Sequence, residues 1–421
     1  LKYILNNLFP DIENFRDGQP QIIKNVLTRH DTIGILPTGT GKSLCYQLAA
    51  MLQPGVSIVV VPIISLMQDQ KESMKRRNFA HVNSISSVTT GFEREIITDK
   101  FLHGGYQFLW ISPERFQNEE FRSTLTQINE HLNFALAVID EVHCLSEWGH
   151  DFRVSYLSLI KLLKEFCPEA VILGLTATAS QAVLEDLKAE FEVDGSAVKA
   201  LTDMDRSELN FHRIRVRRQT EKAEEIYRII SKNDHKSTNA DGVSHNSIGL
   251  IFCPTVNGKT GCLKIENQIN ELAKKDLFHR QKLRVASYHG KLTTAERTEI
   301  QTEFMNDKFD VLACTKAFGM GIDQPHVKYT IHDSMPQSIE SCYQEAGRAG
   351  RDKDKSVKSD CYILYCPESS ESTVSEIFDP DTTIEQRKEL SEGLHGDLNT
   401  IMWFWNNNRE TRRDEYKNIR S

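Results

Sequence analysis

Residues 36–44 read Leu36-Pro37-Thr38-Gly39-Thr40-Gly41-Lys42-Ser43-Leu44. An apolar, β-prone entry, Thr32-Ile33-Gly34-Ile35-Leu36, precedes the loop, and a helix-prone stretch from Ser43 to Met51 follows it. Strand, glycine-rich loop and helix in that order are the setting of a phosphate-binding P-loop. Successive N–H groups from Thr38 to Gly41 and the positive end of the helix would converge on phosphate oxygens. Lys42 is expected to reach the β/γ-phosphates and Ser43 to offer its hydroxyl to Mg²⁺. The first glycine of the usual pattern is missing, with Leu36 or Pro37 in its place.

At 421 residues the chain is too long for one ordinary core, so two domains and a tail are expected. Hydrophobic residues make up 39% and charged residues 26%, a globular balance. No apolar run approaches the ~20 residues of a membrane span, and the N-terminus does not read as a signal peptide. A cytoplasmic protein, or a nuclear one in a eukaryote, is the expectation. The chain opens without an initiator Met and stops in a charged, helix-prone stretch, as a fragment of a longer protein would. The net charge of −8 argues against a uniformly basic nucleic-acid coat but leaves room for a local groove. Nine scattered cysteines without a Cys-x-x-Cys pair read as reduced thiols, not as a disulfide or zinc framework.

Residues 1–31 look helical and carry Phe15-Arg16-Asp17-Gly18-Gln19. A Gln just upstream of a P-loop can read adenine through its amide, although a solvent-facing helix residue is the simpler reading of this segment. Apolar strands are expected at Ser57–Pro62, Phe108–Ile111, Phe134–Ile139 and Ala170–Leu175. Continuous apolar strands separated by helical patterns imply a parallel sheet covered on both faces, with functional loops at the carboxyl ends of its strands. Asp140-Glu141-Val142-His143 occupies one such end. Asp140 would face the Mg²⁺ shell opposite Ser43, and Glu141 would polarise an attacking water. Next, residues 144–153 crowd Trp148, His150, Phe152 and Arg153 into one loop. Those side chains suit stacking on bases and holding phosphate, but they equally suit plugging a satellite core.

A domain boundary is expected near residue 203, and the polar stretch Ser231–Asn246 reads as an exposed, mobile loop. A second series of strands follows at Ser247–Phe252, Leu283–Tyr288, Asp310–Thr315, Val327–His332 and Asp360–Tyr365. It reads as a second parallel α/β sheet without a P-loop. Within Gln344-Glu345-Ala346-Gly347-Arg348-Ala349-Gly350-Arg351, two arginines stand three residues apart. On a lone helix they are a solvated basic face. Opposite a bound nucleotide they become an arginine finger. Residues 371–421 look helical, with Met402-Trp403-Phe404-Trp405 as a packing stripe.

Taken together these motifs resemble those of the superfamily 2 helicases. They run Phe15-Arg16-x-Gly18-Gln19, Thr38 to Ser43, Ser65-Leu66-Met67-x-Asp69-Gln70, Ser112-Pro113-Glu114-Arg115, Asp140 to His143 and Thr176-Ala177-Thr178. In the second half come Tyr288-His289-Gly290, Ala317 to Asp323 and Gln344 to Arg351. The aromatic-rich stretch Ser146 to Arg153, and Met204-Asp205-Arg206 with Asn210, are most similar to the RecQ family of DNA helicases. That resemblance spans about residues 9–366. It implies two tandem RecA-like domains, 1–203 and 204–370, and a helical extension over 371–421. It also implies that Arg16 and Gln19 read adenine and that Gly321 and Asp323 help to hold the nucleotide. His143, Thr176 and Thr178 would couple nucleotide state to DNA. Arg351 would be the finger, with Arg348 and Gln344 beside it, and Trp148, His150, Phe152 and Arg153 would sense single-stranded DNA.

Two departures are mild: Val142 replaces the usual Ala, and Glu147 replaces the common Gln. A third is larger. Family members typically carry a four-cysteine zinc subdomain after the motor, whereas no cysteine follows Cys366 here. ATP and Mg²⁺ are therefore the expected cofactors, without zinc, and the strand-splitting element is missing or replaced. The expected activity is ATP-driven translocation, 3′→5′ by family analogy, on single-stranded or partly duplex DNA. The C-terminal extension offers a place for protein partners. An RNA-directed or duplex-translocating ATPase of the same superfamily, or an ATP-switched binding module of a larger complex, stands as the alternative.

Overall fold

The computed structural model describes residues 1–86, 89–146, 156, 158–177, 179–200, 206–233, 236–238, 244–258, 260–276, 283–315, 318, 324, 326–336, 338–351, 357–366, 371–377, 379, 381–392, 394, 396–399 and 402. The chain divides into two compact units, Leu1–Asp205 and Arg206–Ser421.

The first unit is built on seven strands: β1 Thr32–Ile35, β2 Val56–Val60, β3 Val82–Ile85, β4 Phe108–Ile111, β5 Phe134–Asp140, β6 Val171–Thr176 and β7 Val198–Ala200. They form one sheet in the order β3-β4-β2-β5-β6-β1-β7, and every pairing is parallel. Alternation along each strand feeds two cores. Ile58, Val60, Leu109, Ile111 and Ile139 pack on one face. Val59, Val61, Trp110, Val138 and Leu173 pack on the other. This burial on both faces explains why the strands read as unbroken apolar runs.

The second unit holds β8 Leu209–Arg215, β9 Lys236–Thr238, β10 Ser244–Asn246, β11 Ile248–Phe252, β12 Val285–Tyr288, β13 Val311–Cys314, β14 Val327–His332 and β15 Ser359–Tyr365. Six of these make a parallel sheet in the order β12-β13-β11-β14-β15-β8. Its faces again separate, with Ile251, Ala313 and Ile331 on one side and Leu250, Leu312 and Phe252 on the other. Parallel sheets flanked by helices in both units are the architecture of tandem RecA-like domains. The stretch expected as a mobile loop differs from its reading. Ser231–Asn233 end a helix, Lys222–Asn233, and β9 and β10 pair as an antiparallel ribbon. Both strands are short and polar in sequence, so their composition matches that of a loop.

The C-terminal extension contributes helices Glu371–Ile377 and Ile384–Glu392, and Met402 packs with Ile377 and Leu394. Trp403, Phe404 and Trp405 lie outside the described residues. Asp397 ties this extension to the sheet. Its carboxylate accepts from the buried Lys222 Nζ at 2.7 Å, from Gln219 Nε2 at 2.9 Å and from the Cys366 N–H at 2.7 Å. No helix among the described residues is long and apolar enough to cross a membrane.

Candidate active site

In the first unit, register brings three loops to one edge of the sheet. Ile35 pairs with Thr176, and Asp140 pairs with Leu175, so the P-loop, the acidic turn and the Thr176 turn leave the sheet side by side. Pro37 and the residues before it are buried, whereas Thr38 to Ser43 are partly or fully open to solvent. Gly39 and Gly41 take φ of 78° and 77°, which L side chains rarely adopt, and Gly41 caps the helix Lys42–Met51. The first amides of that helix have no intrahelical partner by geometry and face the loop's open side.

Gln19 is buried at the start of the helix Gln19–Leu27, and its amide is spent on the loop. Nε2 donates to Thr40 O at 2.8 Å and Gly41 O at 3.0 Å, while Oε1 accepts from the Arg16 N–H at 2.9 Å. Arg16, itself exposed, donates through Nη1 to Gly39 O. Both residues expected to read adenine therefore also hold the backbone of the phosphate loop.

Strand β5 ends at Asp140, and Glu141 turns the chain with φ 51° and ψ 50° into a short 3₁₀ turn over Val142–Leu145. This left-handed residue, uncommon for a side chain of this kind, breaks the strand's alternation and leaves both carboxylates at the same edge. Glu141 Oε1 lies 3.4 Å from Lys42 Nζ, and Oε2 lies 3.4 Å from His143 Nδ1. His143 in turn meets Thr176 Oγ1 at 2.8 Å, deep in the fold.

Asp140 is fixed by Gln70 Nε2 at 3.0 Å and by the Glu141 N–H at 3.0 Å. Gln70 is oriented by Trp110 Nε1 and Tyr46 OH, each donating to its Oε1 at 2.8 Å. Burial, with the Glu141 carboxylate beside it, pushes the Asp140 carboxyl up to about 6, against the pull of Lys42 and Gln70. A buried acid held this way, next to a second acid and an open phosphate loop, fits a divalent cation, whose charge would offset both causes of the rise. Ser43, half-buried at the start of the helix, supplies a hydroxyl on the loop's side.

The second unit holds the arginine motif. Helix Ile339–Ala346 starts at Ser338, whose hydroxyl accepts from the Ser341 N–H, and carries Gln344. His332 at the end of β14 stacks on Phe252 and lies 3.0 Å from Glu345 Oε2. Past the helix, Arg348 is buried, and Arg351, half-buried, donates from Nε to Gly347 O at 3.2 Å. Arg206 reaches the same segment, donating to Gly347 O at 3.0 Å, Ala349 O at 3.1 Å and Gly350 O at 2.7 Å.

Lys42, Ser43, Asp140, Glu141, His143 and Thr176 thus come to one edge of the first sheet, with Arg16 and Gln19 against the P-loop. Gln344, Arg348 and Arg351 sit together in the second unit. Trp148, His150, Phe152, Arg153, Thr178, Gly321 and Asp323 lie outside the described residues. Gln70, Tyr46, Trp110 and Arg206 were not singled out as site residues. Gln70 and Arg206 stood within quoted motifs, but their partners lie far away in the sequence, and no local spacing announces them.

Comparison with known proteins places these motifs. A DEAD/DEAH box helicase model matches residues 16–187, and a helicase conserved C-terminal domain model matches 221–353. A probable ATP-dependent DNA helicase RecS of Bacillus subtilis is 35% identical over 90% of this chain and 72% of its own length. The ATP-dependent DNA helicase RecQ of the same organism is 35% identical over 85% of this chain, which spans only 54% of that relative. Among solved structures, the DUF1998 helicase MrfA bound to DNA and AMPPNP superposes with a TM-score of 0.66 at 18% identity, over 86% of this chain and 49% of its own. S. cerevisiae Dbp5 bound to RNA and ADP BeF3 superposes at 0.61 and 16% identity, over 93% of this chain and 91% of its own, a likeness of fold alone. On its ordered motifs and its identity to these relatives, the chain belongs to the RecQ-like DNA helicases of superfamily 2.

Proposed function

We propose that the chain is an ATP-dependent DNA helicase motor, moving 3′→5′ on single-stranded DNA and coupling hydrolysis to strand separation. The carrying observation is the cluster at the carboxyl edge of the first sheet, with Lys42 and Glu141 3.4 Å apart beside an open phosphate loop. ATP's phosphates take the loop amides, and Lys42 exchanges Glu141 for phosphate oxygens. Ser43 and Asp140 would hold Mg²⁺, which would neutralise phosphate charge. Glu141, released from Lys42, accepts a proton from the attacking water. Arg351 places its charge on the transferring phosphoryl group, with Arg348 and Gln344 supporting it. The chain from Glu141 through His143 to Thr176 supports a route by which nucleotide state reaches the DNA-contacting turns, Thr178 included. Trp148, His150, Phe152 and Arg153 act as the DNA sensor, and Gly321 and Asp323 complete the nucleotide site. The cofactor set is ATP and Mg²⁺ without zinc, the place of action is the cytosol or nucleus, and the C-terminal extension serves protein partners.

The test is ATP turnover in Glu141→Gln and Lys42→Ala. Loss of a general base is expected to cost about 10²–10⁴-fold in kcat with nucleotide binding retained. Lys42→Ala weakens binding and turnover together. Unchanged turnover in Glu141→Gln would remove the enzymatic reading.

A further inference from the structure

Arg206 is the first residue of the second unit, 141 residues before Gly347 in the sequence. Its guanidinium is buried, 7% exposed, and its charge is met by Glu208 Oε1 at 2.8 Å from Nε. Nη1 and Nη2 donate to main-chain carbonyls of the arginine motif: Gly347, Ala349 and Gly350. Gly347 O also accepts from Arg351 Nε, so Arg206 and Arg351 share one acceptor. A guanidinium's fixed fork can hold three carbonyls in one arrangement, which an ammonium cannot. It also lies just past the C-terminal end of the helix Ile339–Ala346, where a cation is favoured.

The segment is fitted closely around it. Gly350 has φ of +66°, and a Cβ there would lie 3.0 Å from Arg206 Nη2, Glu208 Cγ and Leu209 Cδ2 alike. From the other side, the Gly350 N–H donates to Ser359 Oγ at 3.0 Å. The backbone carrying Arg348 and Arg351 is thereby held from β15 and from the entry to the unit at once.

We propose that Arg206 is a positioning residue for ATP hydrolysis, clamping the Gly347–Gly350 backbone so that Arg351 is presented in one place. The inference rests on the reading of Arg351 as the finger. Arg206 touches neither substrate nor reacting atoms; it acts through the main chain. Displacement of a catalytic group by an ångström costs turnover while leaving the phosphate loop and its affinity intact.

The experiment compares ATP turnover in the parent, Arg206→Lys, Arg351→Ala and the double variant, with thermal melts alongside. Arg206→Lys keeps a charge for Glu208 but loses the fork. It is expected to lower kcat by about 10²-fold with KM within about twofold of the parent. The double variant is expected to be no slower than Arg351→Ala, because both changes remove one contribution. Ser359→Ala removes the Gly350 acceptor without touching a charge. It is expected to lower kcat several-fold with KM unchanged, and this holds as the deciding measurement if Arg206→Lys folds poorly. Parental kcat in Arg206→Lys, or in Ser359→Ala where that variant decides, overturns the inference. So does a double variant slower than Arg351→Ala by the full Arg206→Lys factor. Parental kcat in Arg351→Ala instead overturns the finger reading itself, and the clamp with it.

Discussion

Asp140 and Asp333 are buried acids at the carboxyl ends of β5 and β14, and the groups around each decide what it does. Asp140 is held by Gln70, which Trp110 and Tyr46 hold in turn. Supporting shells of this kind are typically worth 10–100-fold in metal affinity, so Gln70→Ala should raise the Mg²⁺ concentration for half-maximal ATP turnover by about 10-fold. An unaltered Mg²⁺ dependence would contradict that role. Asp333 faces Lys222, 3.9 Å away, with Asp397 on the same lysine and Lys264 nearby. Burial pushes its carboxyl up to about 7, against the pull of Lys222. Between about pH 4 and 7 the folded protein therefore keeps a proton that the unfolded chain releases, and the stability this group contributes falls as pH rises through that window. Asp333→Asn lacks the titration. Its melting temperature relative to the parent should climb from pH 5 to pH 8; a constant difference would refute the assignment.

At the scale of elements, the central strands show how much the sequence disclosed. The strand expected at Phe108–Ile111 has those bounds, and that at Val327–His332 likewise, because both are interior strands of their sheets and are buried along nearly their whole length. Strands β3, β7 and β8 escaped. Val82-Asn83-Ser84-Ile85 is half polar, Val198-Lys199-Ala200 is a three-residue edge, and β8 is an edge strand exposed along most of its length. Parallel pairing leaves no hairpin turn in the sequence to signal such strands. Gly249 on β11 is a further feature that only packing explains. A Cβ there would fall 2.2 Å from the Tyr329 ring, buried on the neighbouring β14. Gly249→Ala should destabilise the protein by about 1–3 kcal/mol in denaturant unfolding, the usual cost of overpacking. A midpoint equal to the parent's would mean that the ring moves aside freely.

At the scale of the molecule, the P-loop, the acidic turn and the Thr176 turn were legible because each occupies the carboxyl end of a strand, where a parallel sheet places its loops. The contacts that hold those motifs in place were not. Gln19 on the P-loop, Gln70 on Asp140 and Arg206 on the arginine motif all join distant segments, and only the fold brings them together. The C-terminal extension is tied on in the same manner. Removing Asp397 leaves Lys222 buried beside Asp333 without its nearest counter-charge, so Asp397→Ala should cost about 3–5 kcal/mol of stability and expose the extension to limited proteolysis. Parental stability and protease resistance would show that the extension is held by its apolar contacts instead. The proposed function is that of an ATP motor gated by DNA. The most direct test is the rate of ATP hydrolysis by the parent protein alone, with a single-stranded DNA oligonucleotide, and with RNA of the same sequence. Strong stimulation by DNA, weak or absent with RNA, is the predicted result. A rate indifferent to nucleic acid, or stimulated by RNA in preference to DNA, would contradict it.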